Sequence, residues 1–437
     1  MISYVKLNNY KSLVNFKVDF MKSKTKAKNL VLIYGENGIG KSNFATSFYT
    51  LNETMSTMSS KEVLKKFMEN SKENINELYE NDFKLRFRDI EMIIKDCKTI
   101  NSDDDMVLEY GFNYKGNNGV YKLVMNDTEI VSEKLVFILN KNETVFFDIN
   151  EKSIKVNQNI FTDKLYYTEF CNLLAKYWGK HSFLSILSFE IEDKKAGYVK
   201  KRIINNLYNV LAFFKIICTK VKGGNHSEFG IIGTQHKIMN NLNKGIISIK
   251  DEKELTKTEF LLNNFFTLLY SDIKKVYYKK EIIDNKIKYN LFVKKLIYNK
   301  IIDVNFDLES TGTQSILELI PYLISACEGF IVIIDELDTG IHDLLIKTLL
   351  ESVSRYLKGQ LIITTHNTLL IESDIPNEDI YVFKTDRDAF KELIAITDFN
   401  GRIQKNINPR KKYLKGMFSG VPMVSDIDFE ELIYNLK

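Results

Sequence analysis

Residues 29–42 read NLVLIYGENGIGKS, and the fold follows from their layout. The run from Asn29 to Tyr34 is apolar at successive positions and stops at a glycine, which predicts a strand covered on both faces of a parallel sheet. Gly35-Glu36-Asn37-Gly38-Ile39-Gly40-Lys41-Ser42 then meets the spacing G-x-x-x-x-G-K-[ST] in full. A helix is predicted from Lys41, with Phe44, Phe48 and Leu51 on one face. Glycines let backbone N–H groups turn inward around phosphate oxygens, and a following helix points its partly positive N-terminus at them. Gly35 through Asn43 are therefore the candidate phosphate cradle. Lys41 is placed to neutralise the outer phosphates, and the Ser42 hydroxyl to ligate a divalent cation.

Three elements downstream complete the pattern. Phe330 to Ile334 is a second apolar strand, and it ends in Asp335-Glu336. If that strand lies beside the first, Asp335 reaches the cation, while Glu336 points elsewhere and is free to orient or deprotonate an attacking water. Gln360 to Thr365 is a third buried strand, ending in His366-Asn367, with one helix over Asp343 to Leu357 between them. Ligands in parallel α/β sheets bind at the carboxyl ends of strands, so His366 would look towards a terminal phosphate. Glu309-Ser310-Thr311-Gly312-Thr313-Gln314 precedes a helical run with Ile316, Leu317, Ile320, Leu323 and Ile324 on one face, interrupted by Pro321. Its simplest role is a Ser or Thr helix cap. It is also a second phosphate-binding surface, which one chain does not need for one nucleotide. Two chains arranged head to tail do need it.

Length and composition frame this. The 437 residues are enough for two or three domains, and 44% hydrophobic with 27% charged residues is ordinary for a globular chain. A net charge of +4 does not announce nucleic acid, so any basic patch must be local. Cys97, Cys171, Cys218 and Cys327 lie far apart without a C-x-x-C pair, which argues against a zinc knuckle or a disulfide framework and for a reducing cytoplasm. No signal layout and no long apolar stretch appears, so a cytoplasmic protein without a membrane partner is expected. Residues 2–20 read as a hairpin broken at Asn8-Asn9. From about 106 to 156 short strands alternate with turns, 163–275 returns to helical spacing, and a hairpin turns near Asp284-Asn285.

In motif order the chain resembles the heads of ABC-type ATPases, the group that includes RecF, the SMC proteins and the double-strand-break repair ATPases. GENGIGKS corresponds to Walker A, ESTGT to the signature, IIDELDTG to Walker B with its D-loop, and TTHN to the switch histidine. It is more closely similar to compact ATPases of bacterial abortive-infection and anti-phage operons, the AbiLi-like proteins and the ATPase of PARIS systems. That likeness is carried by NNYKSL, LEYGFNY, EKLVF, FLSILS, ESTGTQ, DELDTGIH, TTHNTLLIE and the tail YVFKTD, ITDF, RKKYLKGMFSGVP. The signature departs from the usual LSGGQ, with Thr311 where glycine is common.

The resemblance implies an α/β fold: a split ABC-type P-loop ATPase head with an inserted small antiparallel sheet and helical lobe, and no long coiled coil. Residues 1–60 would form the N-terminal part of the head. Residues 61–305 would be the insertion, with a sheet about 106–156, a helical lobe about 163–275 and a hairpin about 276–305. Residues 306–437 would close the head. ATP and Mg²⁺ are the implied cofactors, with Asp335 and Ser42 on the metal, Glu336 as base and His366 as switch. Ser310 and Gly312 would act on the nucleotide of a second copy, Asp338 would communicate across the dimer, and Lys11 would sit near the nucleotide. No glutamine suits the Q-loop, since Gln158 is the only one before the helical region. The implied activity is ATP hydrolysis by the sensor or motor subunit of an anti-phage system. Its partners would be itself, a separate effector protein from the same operon and a phage protein trigger.

The alternative is a RecF-like, DNA-binding ATPase of repair. Lys274 to Lys300 holds nine lysines against Glu281 and Asp284, interleaved with Tyr277, Tyr278, Tyr289, Phe292 and Tyr298. Such a hairpin can bind nucleic acid, and it is equally a half-buried hairpin with a solvated lysine face. Arg410, Lys411 and Lys412 with Lys415 form a second basic cluster. Asp426-Ile427-Asp428 has too little chain after it for a nuclease domain, and His181, His226 and His236 lack metal spacing.

Overall fold

The computed structural model describes residues 1–61, 88–195, 197–222, 228–233, 236–399, 408–421 and 429–434. Val63, Leu64, Phe67 and Met68, whose spacing in the sequence gives an interrupted apolar stripe, lie outside them, as do His226 and the pair Asp426 and Asp428.

Strand β1 (Ile2–Asn8) pairs with β2 (Phe16–Asp19), and the short β3 (Met21–Ser23) and β4 (Lys26–Ala27) lead into β5 (Leu30–Tyr34). Helix α1 (Lys41–Thr54) and α2 (Ile90–Cys97) follow, then five antiparallel strands: β6 (Met106–Tyr114), β7 (Asn117–Met125), β8 (Ile130–Leu139), β9 (Asn142–Asn150) and β10 (Ser153–Val156). These five do not form a sheet of their own. β6 pairs with β1, which gives one seven-stranded sheet in the order β10-β9-β8-β7-β6-β1-β2. The inward alternation of β1 (Val5, Leu7) and β6 (Leu108, Tyr110, Phe112) supplies a common buried face, which chain separation conceals in the sequence.

Helices α3 (Lys164–Tyr177), α4 (Phe183–Asp193) and α5 (Asn205–Lys215) cover that face. Glu133 of β8, fully buried, accepts from Tyr121 Oη (2.8 Å), Trp178 Nε1 (2.9 Å) and the Phe183 N–H (2.7 Å), tying the helices to the sheet. Burial pushes its carboxyl up to about 7, and the three donors pull it back down in part.

The chain then enters the central sheet. Strands β11 (Cys218–Lys222) and β12 (Glu228–Ile231) form one edge. β13 (Lys244–Ser248), α6 (Glu252–Leu269), β14 (Ile273–Ile283), β15 (Lys286–Ile297) and β16 (Lys300–Asn305) build a third sheet packed on α6, turning at Asp284 and Asn285, both left-handed as a two-residue hairpin requires. Helix α7 (Thr311–Glu328) passes through Pro321 unbroken. It is followed by β17 (Ile331–Ile334), α8 (Asp343–Ser354), β18 (Gln360–Thr364), β19 (Ile380–Thr385), β20 (Lys391–Ala395), α9 (Pro409–Leu414) and α10 (Phe429–Tyr434). No long coiled coil occurs among the described residues.

The central sheet runs β12-β11-β17-β18-β5-β19-β20, parallel from β11 to β19 with an antiparallel strand at each edge. β11 thus belongs to the central sheet although it falls inside the stretch expected to be an insertion. Alternate residues of each inner strand enter different cores. Val31, Ile33, Ile333 and Ile362 face α1 and the antiparallel sheet, and Leu32, Ile334, Leu361 and Ile363 face α6, α7 and α8. Burying each such side chain stabilises by about 1.5–3 kcal/mol, which is why these strands read as unbroken apolar runs. Gln360, fully buried, stitches the two sheets: it accepts from the Ile2 N–H (2.7 Å) and donates to the carbonyls of Ile2 and Lys28 (3.0 Å each).

Candidate functional site

The turn between β5 and α1 curls back on itself. Gly38 has φ 76°, a left-handed conformation that favours glycine. Gly40 caps α1 without any side-chain acceptor, and no acidic residue stands in the first turn, so neither a cap nor a carboxylate competes for the positive end of that helix. Lys41 is buried and donates to the carbonyls of Gly35 (2.7 Å) and Glu36 (2.9 Å). Burial lowers its pKa, while Asp335, Glu336, Asp338 and Glu36 oppose the shift. Asn43 donates to Ser12 Oγ at 2.7 Å, which brings the β1–β2 connection against the turn. Lys11, next in the chain, lies over the ring of Tyr10, with Glu53 and Cys97 in its electrostatic reach.

β17 does not lie beside β5, contrary to the expectation from sequence. β18 intervenes, because its own apolar run pairs in register with both neighbours. The gap is bridged by Thr364 at the end of β18. Its hydroxyl donates to Asp335 Oδ1 at 2.6 Å and accepts the Glu336 N–H at 2.8 Å. Asp335 is 4% exposed, and its Oδ2 is buried with no hydrogen-bond partner. Burial raises its pKa, against the Thr364 and Ser42 hydroxyls that pull it down. A buried carboxylate oxygen left unpaired is costly unless something absent from the bare chain completes it.

Glu336 is held in the left-handed region (φ 50°). Its Oε2 accepts from Lys222 Nζ at 2.6 Å and from Thr339 Oγ1 at 3.4 Å, and Thr339 Oγ1 also donates to its carbonyl at 3.1 Å. The Lys222 ammonium holds the Glu336 carboxyl below its usual range. The His366 N–H donates to Asp338 Oδ2 at 3.2 Å, and Asp338 Oδ1 is buried and unpartnered. Burial, then the Lys41 ammonium, push the pKa of His366 down, against the carboxylates of Asp338, Glu336 and Asp335. Lys41, Asp335, Glu336, Asp338 and His366 thus share one electrostatic neighbourhood at the carboxyl ends of β5, β17 and β18.

The signature is elsewhere. Ser310 caps α7, its Oγ accepting the Thr313 N–H at 3.2 Å, so the plain helix-cap role is realised. Glu309 is buried and paired to Lys295 of β15 at 2.7 Å. A Cβ at Gly312 would come 2.5 Å from the Gly340 carbonyl oxygen, so that position demands glycine and ties the signature to the turn after Asp338. Ser310 and Thr311 are exposed. The tail cluster is absorbed in part: Arg410 pairs with Glu372 at 3.1 Å and Lys412 is buried.

Two residues of this site carry no signal in the sequence. Thr364 is one of two adjacent threonines ending a strand, and Lys222 ends the ordinary alternating run Cys218 to Lys222. Only the parallel pairing of β11, β17 and β18 brings them to Asp335 and Glu336.

The residues fit nucleotide and metal. The unpartnered Asp335 Oδ2, with the Ser42 hydroxyl near it, suits a divalent cation, and the uncapped α1 with Lys41 suits a polyphosphate. Among the described residues no three His, Cys, Asp or Glu side chains converge as a metal site, so a cation here would complete its shell from phosphate and water.

Residues 261–372, from α6 through the signature, β17 and β18, match a family model described as an AAA domain, putative AbiEii toxin, Type IV TA system. No curated protein matches the chain. Among solved structures, the SMC head domain from Thermotoga maritima is 14% identical, with 90% of this chain and 98% of that one covered, at a TM-score of 0.38. An Smc head bound to the C-terminal winged-helix domain of ScpA is 13% identical, with 90% and 96% covered, at 0.43. The Pyrococcus furiosus Smc head with an extended coiled coil, bound to the C-terminal domain of ScpA, is 12% identical, with 90% and 95% covered, at 0.37. No helix among the described residues is long and apolar enough to cross a membrane.

Proposed function

We propose that this chain is a P-loop NTPase with an ABC-type head, and that it hydrolyses ATP with Mg²⁺ as the sensor or motor subunit of an anti-phage, abortive-infection system. Two copies arranged head to tail would enclose the nucleotide and control a separate effector. The observation that carries the hydrolytic part is the buried, unpartnered Asp335 oxygen, set within reach of Ser42 and Lys41 across the carboxyl ends of β17 and β5, with β18 between them. In this reading Lys41 and the turn Gly35–Asn43 bind the phosphates, Asp335 and Ser42 hold the cation, and Glu336 takes the proton of the attacking water. His366 faces the terminal phosphate. Bound Mg²⁺ would supply charge neutralisation at the transferred phosphoryl group.

The dimer is supported by the exposed Ser310 and Thr311 at the N-terminus of α7, with Gly312 packed on Gly340 beside Asp338. The defence role is supported by the family model over residues 261–372, whose description names a putative AbiEii toxin of a Type IV TA system. Glu336→Gln should bind ATP and fail to turn it over, read as phosphate release against nucleotide retention. Mixing equal amounts of Gly312→Val and Lys41→Met copies should restore about a quarter of the sites, one in each mixed dimer. No restoration, together with a single subunit in solution under Mg²⁺-nucleotide, removes the dimer. Growth arrest on co-expression with a neighbouring gene, relieved by Lys41→Met, tests the defence role.

One observation favours the DNA-binding alternative. Lys275, Tyr277, Lys279, Lys288, Phe292 and Lys294 share the outer face of β14 and β15, with Lys279 3.8 Å over the Phe292 ring. Lys280 lies on the helix side, paired with Glu252. Salt-dependent DNA binding lost on replacing Lys279, Lys288 and Lys294 would favour that alternative over effector control.

A further inference from the structure

Glu336 is clamped from three directions by three different elements. Thr364 of β18 holds its N–H, Thr339 holds its carbonyl, and Lys222 of β11 takes its carboxylate. The left-handed backbone that results is disfavoured for a side-chain-bearing residue by about 1 kcal/mol and persists only where surroundings over-determine it. A general base needs a free lone pair directed at water. Here the Glu336 Oε2 already accepts an ammonium proton at 2.6 Å and a hydroxyl at 3.4 Å.

Lys222 is suited to a contact that must later break. Its Nζ makes one ion pair and one hydrogen bond at 3.2 Å to Thr339 Oγ1, at the end of a flexible stem that is 24% exposed. The other lysine of the site is held differently: Lys41 is buried against backbone carbonyls, so its charge stays with the phosphate cradle. Lys222 acts electrostatically on Asp335 as well as on Glu336, so anionic phosphate oxygens bound beside Asp335 would compete with Glu336 for its ammonium.

We propose that Lys222 is a latch on Glu336: it holds the carboxylate in the nucleotide-free chain and gives it up when the polyphosphate binds. This rests on Glu336 being the base. In the hydrolysis it restrains, the water oxygen bonds to the terminal phosphorus, the bond from that phosphorus to the bridging oxygen breaks, ADP leaves with that electron pair, and the water proton passes to Glu336. Lys222 is a positioning residue, since it acts through Glu336.

The test uses the full chain with Lys222→Met, Lys222→Arg, Glu336→Gln and the double variant Lys222→Met/Glu336→Gln. Without nucleotide, the two neutralising substitutions should couple by about fivefold in the folding equilibrium constant, as a half-buried ion pair does. With saturating Mg²⁺ and a non-hydrolysable ATP analogue that coupling should vanish. Phosphate release at sub-saturating ATP should rise about threefold in Lys222→Met, with a smaller change at saturating ATP, and return towards wild type in Lys222→Arg. A coupling that survives nucleotide, or a fall in turnover in Lys222→Met, overturns the latch. If Lys222→Met does not fold, Lys222→Gln carries the same measurement. Wild-type turnover in Glu336→Gln defeats the base assignment itself. An inactive Glu336→Gln beside a Lys222→Met that is not accelerated at sub-saturating ATP defeats the latch alone.

Discussion

Glu133 and Asp335 are both buried carboxylates with pKa values raised by burial, yet their surroundings differ in kind. Each Glu133 oxygen meets a donor: Tyr121 on one, Trp178 and the Phe183 N–H on the other. Asp335 has Thr364 on one oxygen and nothing bonded to the other. The satisfied carboxylate belongs to the architecture, because removing it strands three donors. The other keeps one buried oxygen without a protein hydrogen-bond partner, an arrangement that folding alone gives no reason to keep. The two helix N-termini repeat the contrast. α7 is closed by its own Ser310, and α1 begins at a glycine with no side chain on its first N–H groups.

The sharpest way to break the comparison is Asp335→Asn. Phosphate release should fall on the order of 10³-fold. The melting temperature should hold or rise, because a buried charge is removed. A melting temperature that collapses would place Asp335 with Glu133. Glu133→Leu should do the reverse. Three buried donors lose their acceptor, at a cost of about 3–5 kcal/mol in urea denaturation, while turnover per folded molecule stays at the wild-type value.

The pH dependence sharpens the same contrast. Glu133 titrates near 7 in the folded chain against 4.5 for the reference carboxyl. The folded state therefore binds the extra proton between those values, so stability falls as pH rises through that window and is level above it. The drop is about 3 kcal/mol, and Glu133→Gln should remove this component from a melting-temperature series over pH 4.5–8. The smallest effect belongs to Ser310→Ala. Losing the α7 cap should cost about 1 kcal/mol of stability, a few degrees at most in a melting curve. A larger loss of turnover than of stability would mean that Ser310 does more than cap its helix.

Much of the site was legible because its parts are local. The strand, turn and helix at 29–54 announce themselves through apolar runs and glycine spacing, and both strands ending in Asp335 and His366 are continuous apolar segments. Strand partnership was not legible. β18 between β17 and β5, β11 within the same sheet and β6 against β1 are pairings between distant segments, and an apolar run fits any neighbour of matching register. For that reason Thr364 and Lys222 stayed hidden, and residues 106–156 looked like a sheet of their own.

The amino-acid order alone determined that a phosphate cradle, two acidic groups and a histidine would each stand at the end of a buried strand, since periodicity and turn chemistry act over a few residues. Tertiary structure alone decided which strands adjoin, that one oxygen of Asp335 has no partner, and that Lys222 reaches Glu336. Those outcomes depend on which distant surfaces bury each other, and burial is settled by the packed whole.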